Sequence, residues 1–462
     1  MKKCVLLLFL LGLYINSNGQ AVEATLLGTW SDSTLVPSNA HFNTYNEVWG
    51  LEVNNHEFAV VGSTYGTHII DVTEPSSPEE LFVVAGGTTG GVIVHRDFHD
   101  YKGYLYSIAD EGANTSLQII DTRNLPTSID VVYDNSDYFT RSHNIFIDTA
   151  KARLYSLISN GTTIGFSPMR IFDISDPIDP QPIGSYSALD GYQISQVHDA
   201  FVKNDTAYLN LGPSGFAIVD FINIDIPNVI SVLSPSEYPQ SGYNHSGWPT
   251  KNGDFYYMAD ENLGKGIKVM DMRNLPEIEF PSIIDAGDSI SIAHNQIVHN
   301  GKLFVSYYFH GLQVYDISDP SSPIRILNYP TSIENIAPNL YRGAWGVYPF
   351  LSSGNILVTD MQNGLFVLDG DIPTSTEFVN NDNHLMINPN PNNGVFNIKL
   401  RSEHLPSQIE IYNSSNQVVF KGVAERTETQ IDLNGITNGI YVIKIKSGKK
   451  VMIKQIVINN SH

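Results

Sequence analysis

Short apolar runs of four or five residues recur along the middle of the chain. Most open on Gly, and each ends on an aspartate followed by a Pro-containing or Asp/Ser-rich turn. They are GTHIIDVTEPSSP at 66–78, SLQIIDTRNLP at 116–126, MRIFDISDPIDP at 169–180, GFAIVDFINIDIP at 215–227, GIKVMDMRNLP at 266–276, GLQVYDISDPSSP at 311–323 and GLFVLDGDIP at 364–373. The runs are β-branched and aromatic and too short for helices, so each predicts a strand. The closing aspartates (Asp71, Asp121, Asp173, Asp220, Asp271, Asp316 and Asp369) stand 45 to 53 residues apart. Seven copies at that period predict a propeller or a linear array.

Three further strand signals fill each period. One starts near a histidine, as in SHNIFID at 142–148 and AHNQIVH at 293–299. A second follows, as in RLYSLIS at 153–159 and KLFVSYY at 302–308. A last short strand comes after the turn, as in PIGSYSA at 182–188. Four strands per unit make a propeller blade. The seventh copy stops after its third strand, and LLGTWSD at 26–32 has the pattern of a missing fourth strand. Leu26–Ser31 is therefore expected to complete the seventh blade, which removes an exposed sheet edge. The fold class expected is all-β: a seven-bladed β-propeller over 22–370, followed by a small C-terminal β-sandwich.

The two ends differ from this body. MKK and the apolar run VLLLFLLGLYI lead to Ser17 and Gly19, small residues placed for cleavage before Gln20. That predicts a signal peptide over 1–19, since the run is too short to span a bilayer. Cys4 is the only cysteine and precedes the run, so no intramolecular disulfide is expected. The stretch 371–384 lacks apolar periodicity and reads as a linker. From 385 to 462, alternating segments such as IEIYNSSNQVVFKG and GIYVIKI are separated by Asn/Gly/Pro turns, which predicts the β-sandwich.

Charge separates the parts further. The chain has 26 basic and 48 acidic residues, net −22. The segment from Asn380 onward holds 9 basic and 6 acidic residues, and the first 21 residues hold two basic ones, which leaves a body of 15 basic and 42 acidic. Such a body repels polyanions, so no nucleic-acid partner is expected. No second apolar stretch of spanning length follows the leader, so no membrane span is expected.

GLQVYDISDPSSP and MRIFDISDP resemble the LVIVD repeat of bacterial cell-surface proteins, and the middle of the chain is similar to the choice-of-anchor B family. The tail resembles the type A C-terminal sorting domain of the type IX secretion system of Bacteroidetes, through NPNPNNGVF at 388–396, GIYVIKI at 439–445 and KQIVI at 454–458. These resemblances imply a secreted or outer-surface protein whose tail meets the type IX secretion machinery. Neither implies a ligand.

The candidate chemistry lies in the repeat. The innermost strands align on Trp49, Phe98, Phe146, Phe201, Trp248, Ile297 and Trp345, and three residues earlier stand Asn46, His95, His143, His198, His245, His294 and Arg342. That register is expected to form a ring at the channel mouth, with the five histidines and Arg342 as candidate ligand-binding residues. Acidic loops on the same face supply Asp110 and Glu111, Asp260 and Glu261, and Asp360 as candidate metal ligands. Imidazoles favour zinc and carboxylates favour calcium, so a divalent cation is the candidate cofactor. The same residues fit three roles: structural bonds between blades, a ligand site, or acid–base catalysis. No G-x-S-x-G, H-E-x-x-H, Walker or dinucleotide motif is present, so no catalytic residue is named. The expected function is binding of an extracellular protein or glycan rather than catalysis. The alternative is an extracellular hydrolase or lyase that uses the histidine ring, with or without a metal.

Overall fold

The computed structural model describes residues 21–285, 290–332, 341–370, 385–390, 392–413, 418–433, 435–447 and 450–459. The leader and the 371–384 stretch lie outside them. The chain divides into two compact units, one up to Ile372 and one from Pro373. Among the described residues no α-helix occurs, and no helix is long and apolar enough to cross a membrane.

In the first unit the described residues form seven four-stranded antiparallel sheets, one of which gains a short fifth strand. Their innermost strands are Tyr45–Val53, Arg96–Tyr101, Asn144–Asp148, Asp199–Lys203, Asn244–Pro249, Gln296–His299 and Ala344–Tyr348. Each packs against the next, and the last returns to the first, so the sheets close into a ring with a propeller-like fold. The sheets are built locally because each strand meets the next in sequence through a short turn. At six of those turns the closing aspartate caps its own backbone. Asp71, Asp121, Asp173, Asp220, Asp271 and Asp316 each accept, through Oδ1, the amide two residues on. This is the Asx-turn that the aspartate-rich pattern predicts.

The seventh sheet draws on both ends of the unit. Leu26–Trp30 pairs antiparallel with Gly364–Leu368, the third strand of that sheet. Val22–Glu23 adds in parallel to the outer strand Ile324–Tyr329 of the sixth. The core lies between neighbouring sheets. Tyr257 and Val269 meet Leu303 and Val305 between the fifth and sixth, and Val48, Ala59 and Val61 meet Leu357 and Val367 across the first–seventh junction. A layer of aromatic side chains fills the axis: Trp49, His99, Phe146, Phe201, Trp248, Tyr348 and Phe350 are linked ring to ring at 4.6–6.2 Å.

The second unit has two antiparallel sheets. One holds Leu385–Asn388, Val395–Leu400 and Glu428–Asp432. The other holds Val418–Ala424, Ser407–Tyr412, Gly439–Ser447 and Lys450–Ile458. Alternate isoleucines, including Ile398, Ile409, Ile411, Ile443 and Ile445, share one core, as period-two alternation requires.

Candidate functional site: a histidine ring over buried carboxylates

The end of the channel where the inner strands begin carries a closed circle of rings. Imidazole centroids are 4.8 Å apart from His95 to His143, 4.3 Å to His198, 4.1 Å to His245 and 4.5 Å to His294. Trp345 completes the circle, 4.7 Å from His294 and 5.1 Å from His95. All five histidines line one central cavity of about 50 Å³, together with Glu47, Asp97, Glu261 and Trp345. That volume suits an ion, a water or one small side chain, not a sugar.

Backbone carbonyls hold the ring in place. His198 donates from Nδ1 to the carbonyl of His245 at 3.0 Å, His245 to that of His294 at 3.0 Å, and His294 to that of Trp345 at 2.7 Å. A carbonyl only accepts, so each Nδ1 carries the hydrogen and each Nε2 presents a lone pair when the ring is neutral. Burial, then the neighbouring imidazoles, hold His198 and His245 well below the usual histidine range. Burial takes His294 down to about 3.

His143 differs. Its Nδ1 bonds Asp110 at 2.7 Å and its Nε2 lies 2.8 Å from Nε2 of His198. Because His198 must accept there, His143 carries both hydrogens. Burial alone would depress it, but Asp110, with Glu111 and Glu261, outweighs burial and holds the imidazolium above its ordinary range. Glu111 bonds Nδ1 of His95 through one oxygen and accepts the amides of Val94 and His95 at 2.9 and 3.0 Å through the other. Burial raises Glu111, and these bonds more than reverse it.

Below the ring lies a layer that the repeat pattern did not single out. Asp97 accepts the amide of Ile145 at 2.7 Å, and Glu47 accepts Nδ2 of Asn295 at 2.7 Å. Burial raises Asp97 to about 7 and Asp199 to about 8, and lifts Glu47 well above the carboxylate range; Glu47 and Asp199 are raised further by Asp97. Gly346 makes room for Glu47, since a Cβ there would stand 2.0 Å from its Oε1.

Four sequence expectations are corrected. Arg342 does not line the cavity; it precedes the Ala344–Tyr348 strand, and Trp345 occupies the ring in its stead. The aromatic position facing Trp49 belongs to Tyr348 at 5.1 Å. Asp260 is fully buried and ion-paired with Lys268 at 2.6 Å, so it offers nothing to a ligand at the channel mouth. Asp360 is likewise fully buried, accepting Thr331 Oγ1 at 2.7 Å and the amides of Gln362 and Asn363 at 2.9 Å. Of the acidic candidates, Asp110, Glu111 and Glu261 meet the histidines.

Comparison with known proteins adds two sequence families. Residues 386–459 match the model of a secretion system C-terminal sorting domain, and residues 303–331 match the LVIVD repeat. The chain thus carries a C-terminal sorting domain and one matched LVIVD repeat. It is therefore secreted to the outer cell surface or beyond, and its tail engages the type IX secretion machinery. No curated protein matches the chain in sequence. Among solved structures it is similar to the extracellular domain of a hybrid two-component system protein, BT3049, from B. thetaiotaomicron, with TM-score 0.51 and 13% identity over 94% of this chain and 58% of that one. It is similar to the WD40 repeats of RRP9, with TM-score 0.50 and 8% identity over 72% of this chain and 98% of that one. A weaker likeness, TM-score 0.45 and 10% identity, is to PorZ, a surface component of the type-IX secretion system of Porphyromonas gingivalis, over 93% of this chain and 61% of that one. The chain thus spans about three fifths of BT3049's extracellular domain and of PorZ. The first two likenesses show the fold, which is all-β and propeller-like.

Proposed function

We propose that this is an exported binding protein. A seven-bladed propeller over 22–370 holds an extracellular protein or glycan, and a linker at 371–384 joins it to a sorting β-sandwich at 385–462. The seven sheets joined in a ring support the blade count, and the sorting-domain match supports the route of export.

The observation that carries the binding reading is a patch on the rim of the histidine face. Val36, Phe42, Tyr65 and Val92 are 63, 59, 41 and 52% exposed. Their loops are tied together: Thr64 Oγ1 donates to the carbonyl of Val36 at 2.8 Å, the amide of Asn39 to that of Gly91 at 2.7 Å, and Asn43 Nδ2 to that of Val94 at 3.0 Å. Phe42 adopts φ 56°, a left-handed conformation unfavourable for an aromatic residue. A bulky ring held outward at a conformational cost, among other exposed apolar side chains, marks a contact surface.

The test is an array of extracellular polysaccharides and outer-surface proteins probed with the full chain, then repeated with Phe42→Ala and Tyr65→Ala. Hits should weaken about tenfold or more in either variant, a loss of about 1.4 kcal/mol. Hits that persist unchanged in both variants would sink the proposal.

A further inference from the structure

The cavity behind that rim is a separate matter. We infer that His245, His294 and Glu261 form a site for one divalent transition-metal ion of the zinc type, with its fourth coordination position open to the central cavity. This does not rest on the binding reading, because none of the three belongs to the rim patch.

His245 and His294 each commit Nδ1–H to a backbone carbonyl, so both Nε2 atoms are lone-pair donors. The two residues are each 4% exposed. Nε2 of His245 faces Oε2 of Glu261 at 3.8 Å. These two potential ligand atoms thus face each other in a buried place, too far apart for a direct hydrogen bond and close enough for one cation to bridge. The ligand atoms of all three residues lie within 4.8 Å of one another, a spread that bonds of roughly 2.0–2.2 Å can gather with small side-chain shifts.

The surroundings are those of a held ligand set. An imidazole that binds metal through Nε2 characteristically donates Nδ1–H to a carbonyl or carboxylate, and a ligating carboxylate is itself hydrogen-bonded. Here the carbonyls of His294 and Trp345 take the two Nδ1–H groups, and Tyr308 donates its hydroxyl to Oε1 of Glu261 at 2.5 Å. The support extends one layer further: Ser246 donates to the same His294 carbonyl at 2.5 Å and Ser306 to that of Trp345 at 2.6 Å.

Ligand chemistry selects the metal. Two imidazole nitrogens and one carboxylate make a set with three protein ligands and an open position, which suits zinc and its borderline neighbours. Calcium, which needs six to eight oxygens, is not served. The opposite cluster, His95, Asp110 and His143, is already paired internally: both Nδ1 atoms face carboxylates and Nε2 of His143 meets His198. It holds a proton where the other holds lone pairs, so the ion is assigned to one side of the ring.

The experiment uses the full chain, stripped with a chelator and titrated with Zn²⁺ by calorimetry, with elemental analysis after desalting and Co²⁺ absorption as a report of geometry. Wild type should take up one ion per chain. Glu261→Gln and His294→Ala should each weaken binding about tenfold or more, in line with the loss of a ligand, while Asp110→Asn should keep it. Melting curves establish that the variants are folded. Glu261→Gln, which keeps size and shape, carries the test if His294→Ala does not fold. Absence of stoichiometric zinc in wild type would overturn the assignment. So would full affinity in folded Glu261→Gln, or an ion lost in Asp110→Asn and kept in Glu261→Gln.

Discussion

Replacing Lys268 by Met should be among the most damaging single changes in the ring. Lys268 lies in the Ile267–Asp271 strand, and its Nζ meets Oδ2 of Asp260 at 2.6 Å with both side chains 0% exposed. Burial lowers the ammonium from its ordinary range and Asp260 partly restores it. At an effective dielectric of about 20, two charges at this separation attract by roughly 6 kcal/mol. Desolvation of both groups offsets most of that, so the pair itself adds little net stability. Removing one partner is different. Among the described residues Asp260 would keep the hydroxyl of Tyr238, at 3.3 Å from Oδ1, and an uncompensated buried carboxylate costs about 3–5 kcal/mol. The Lys268→Met/Asp260→Asn double variant removes both charges and should recover most of the loss, to within about 1–2 kcal/mol of wild type. Urea unfolding followed by tryptophan fluorescence measures all four corners of the cycle. The change also reaches the proposed zinc site, because Glu261 follows Asp260 directly, so zinc affinity should fall in the single variant and return in the double. A single variant within about 1 kcal/mol of wild type, or a double variant worse than both singles together, would refute the reasoning.

Further consequences can be measured separately. Asp97 and Asp199, raised to about 7 and about 8, bind protons in the folded chain that the unfolded chain releases near pH 4, so their stability contribution is lost as pH rises through 7 and 8. His143, also raised, acts with the same sign, and the depressed His294 titrates below this range; melting temperature should therefore fall from pH 6.5 to 9 and fall less in Asp97→Asn/Asp199→Asn. Gly346→Ala would press a methyl group onto Glu47 Oε1 and the amide of Val48, 2.0 and 3.0 Å from the new Cβ, and should destabilise by about 1–3 kcal/mol in thermal melts. Deleting Leu26–Trp30 strips the outer partner from Gly364–Leu368 and bares a sheet edge, so light scattering should show association and the melting point should drop. Removing 385–462 should leave the protein inside the cell envelope, checked by immunoblots of surface and medium fractions; normal surface levels would contradict the sorting role.

Much of this architecture is local and was therefore legible in the chain. Six of the seven sheets of the ring have cores that are runs of hairpins between sequence neighbours, and six closing aspartates each cap a turn two residues away, so the pattern repeats where the structure does. The histidine register was legible for the same reason: it recurs at one place in each unit, and all five histidines reach one cavity. The sorting tail carries its own alternating strands and motif order.

What failed were the places where a short shift along the chain decides which way a side chain points. The inner strand of the seventh sheet shifts register between Ala344 and Gly346. The fifth sheet shifts in the same way around His245, so Trp345 corresponds to His245 and Tyr348 to Trp248; aligning Trp345 with Trp248 moved the register by three residues and placed Arg342 in the circle. Asp260 and Glu261 are adjacent and chemically alike, yet successive strand residues face opposite ways. One is buried with Lys268 and the other reaches His245. Glu47 follows Asn46 and Asp199 follows His198 by one position, while Asp97 follows His95 by two, so no fixed spacing exposes the carboxylate layer. Its members are brought together only when seven inner strands meet at one axis. The sequence alone determined the strands, the turns, the repeat and the sorting tail, since those depend on neighbours a few residues apart. Closure of the ring decided which lone pairs face each other across the axis, because those pairs join residues from different sheets.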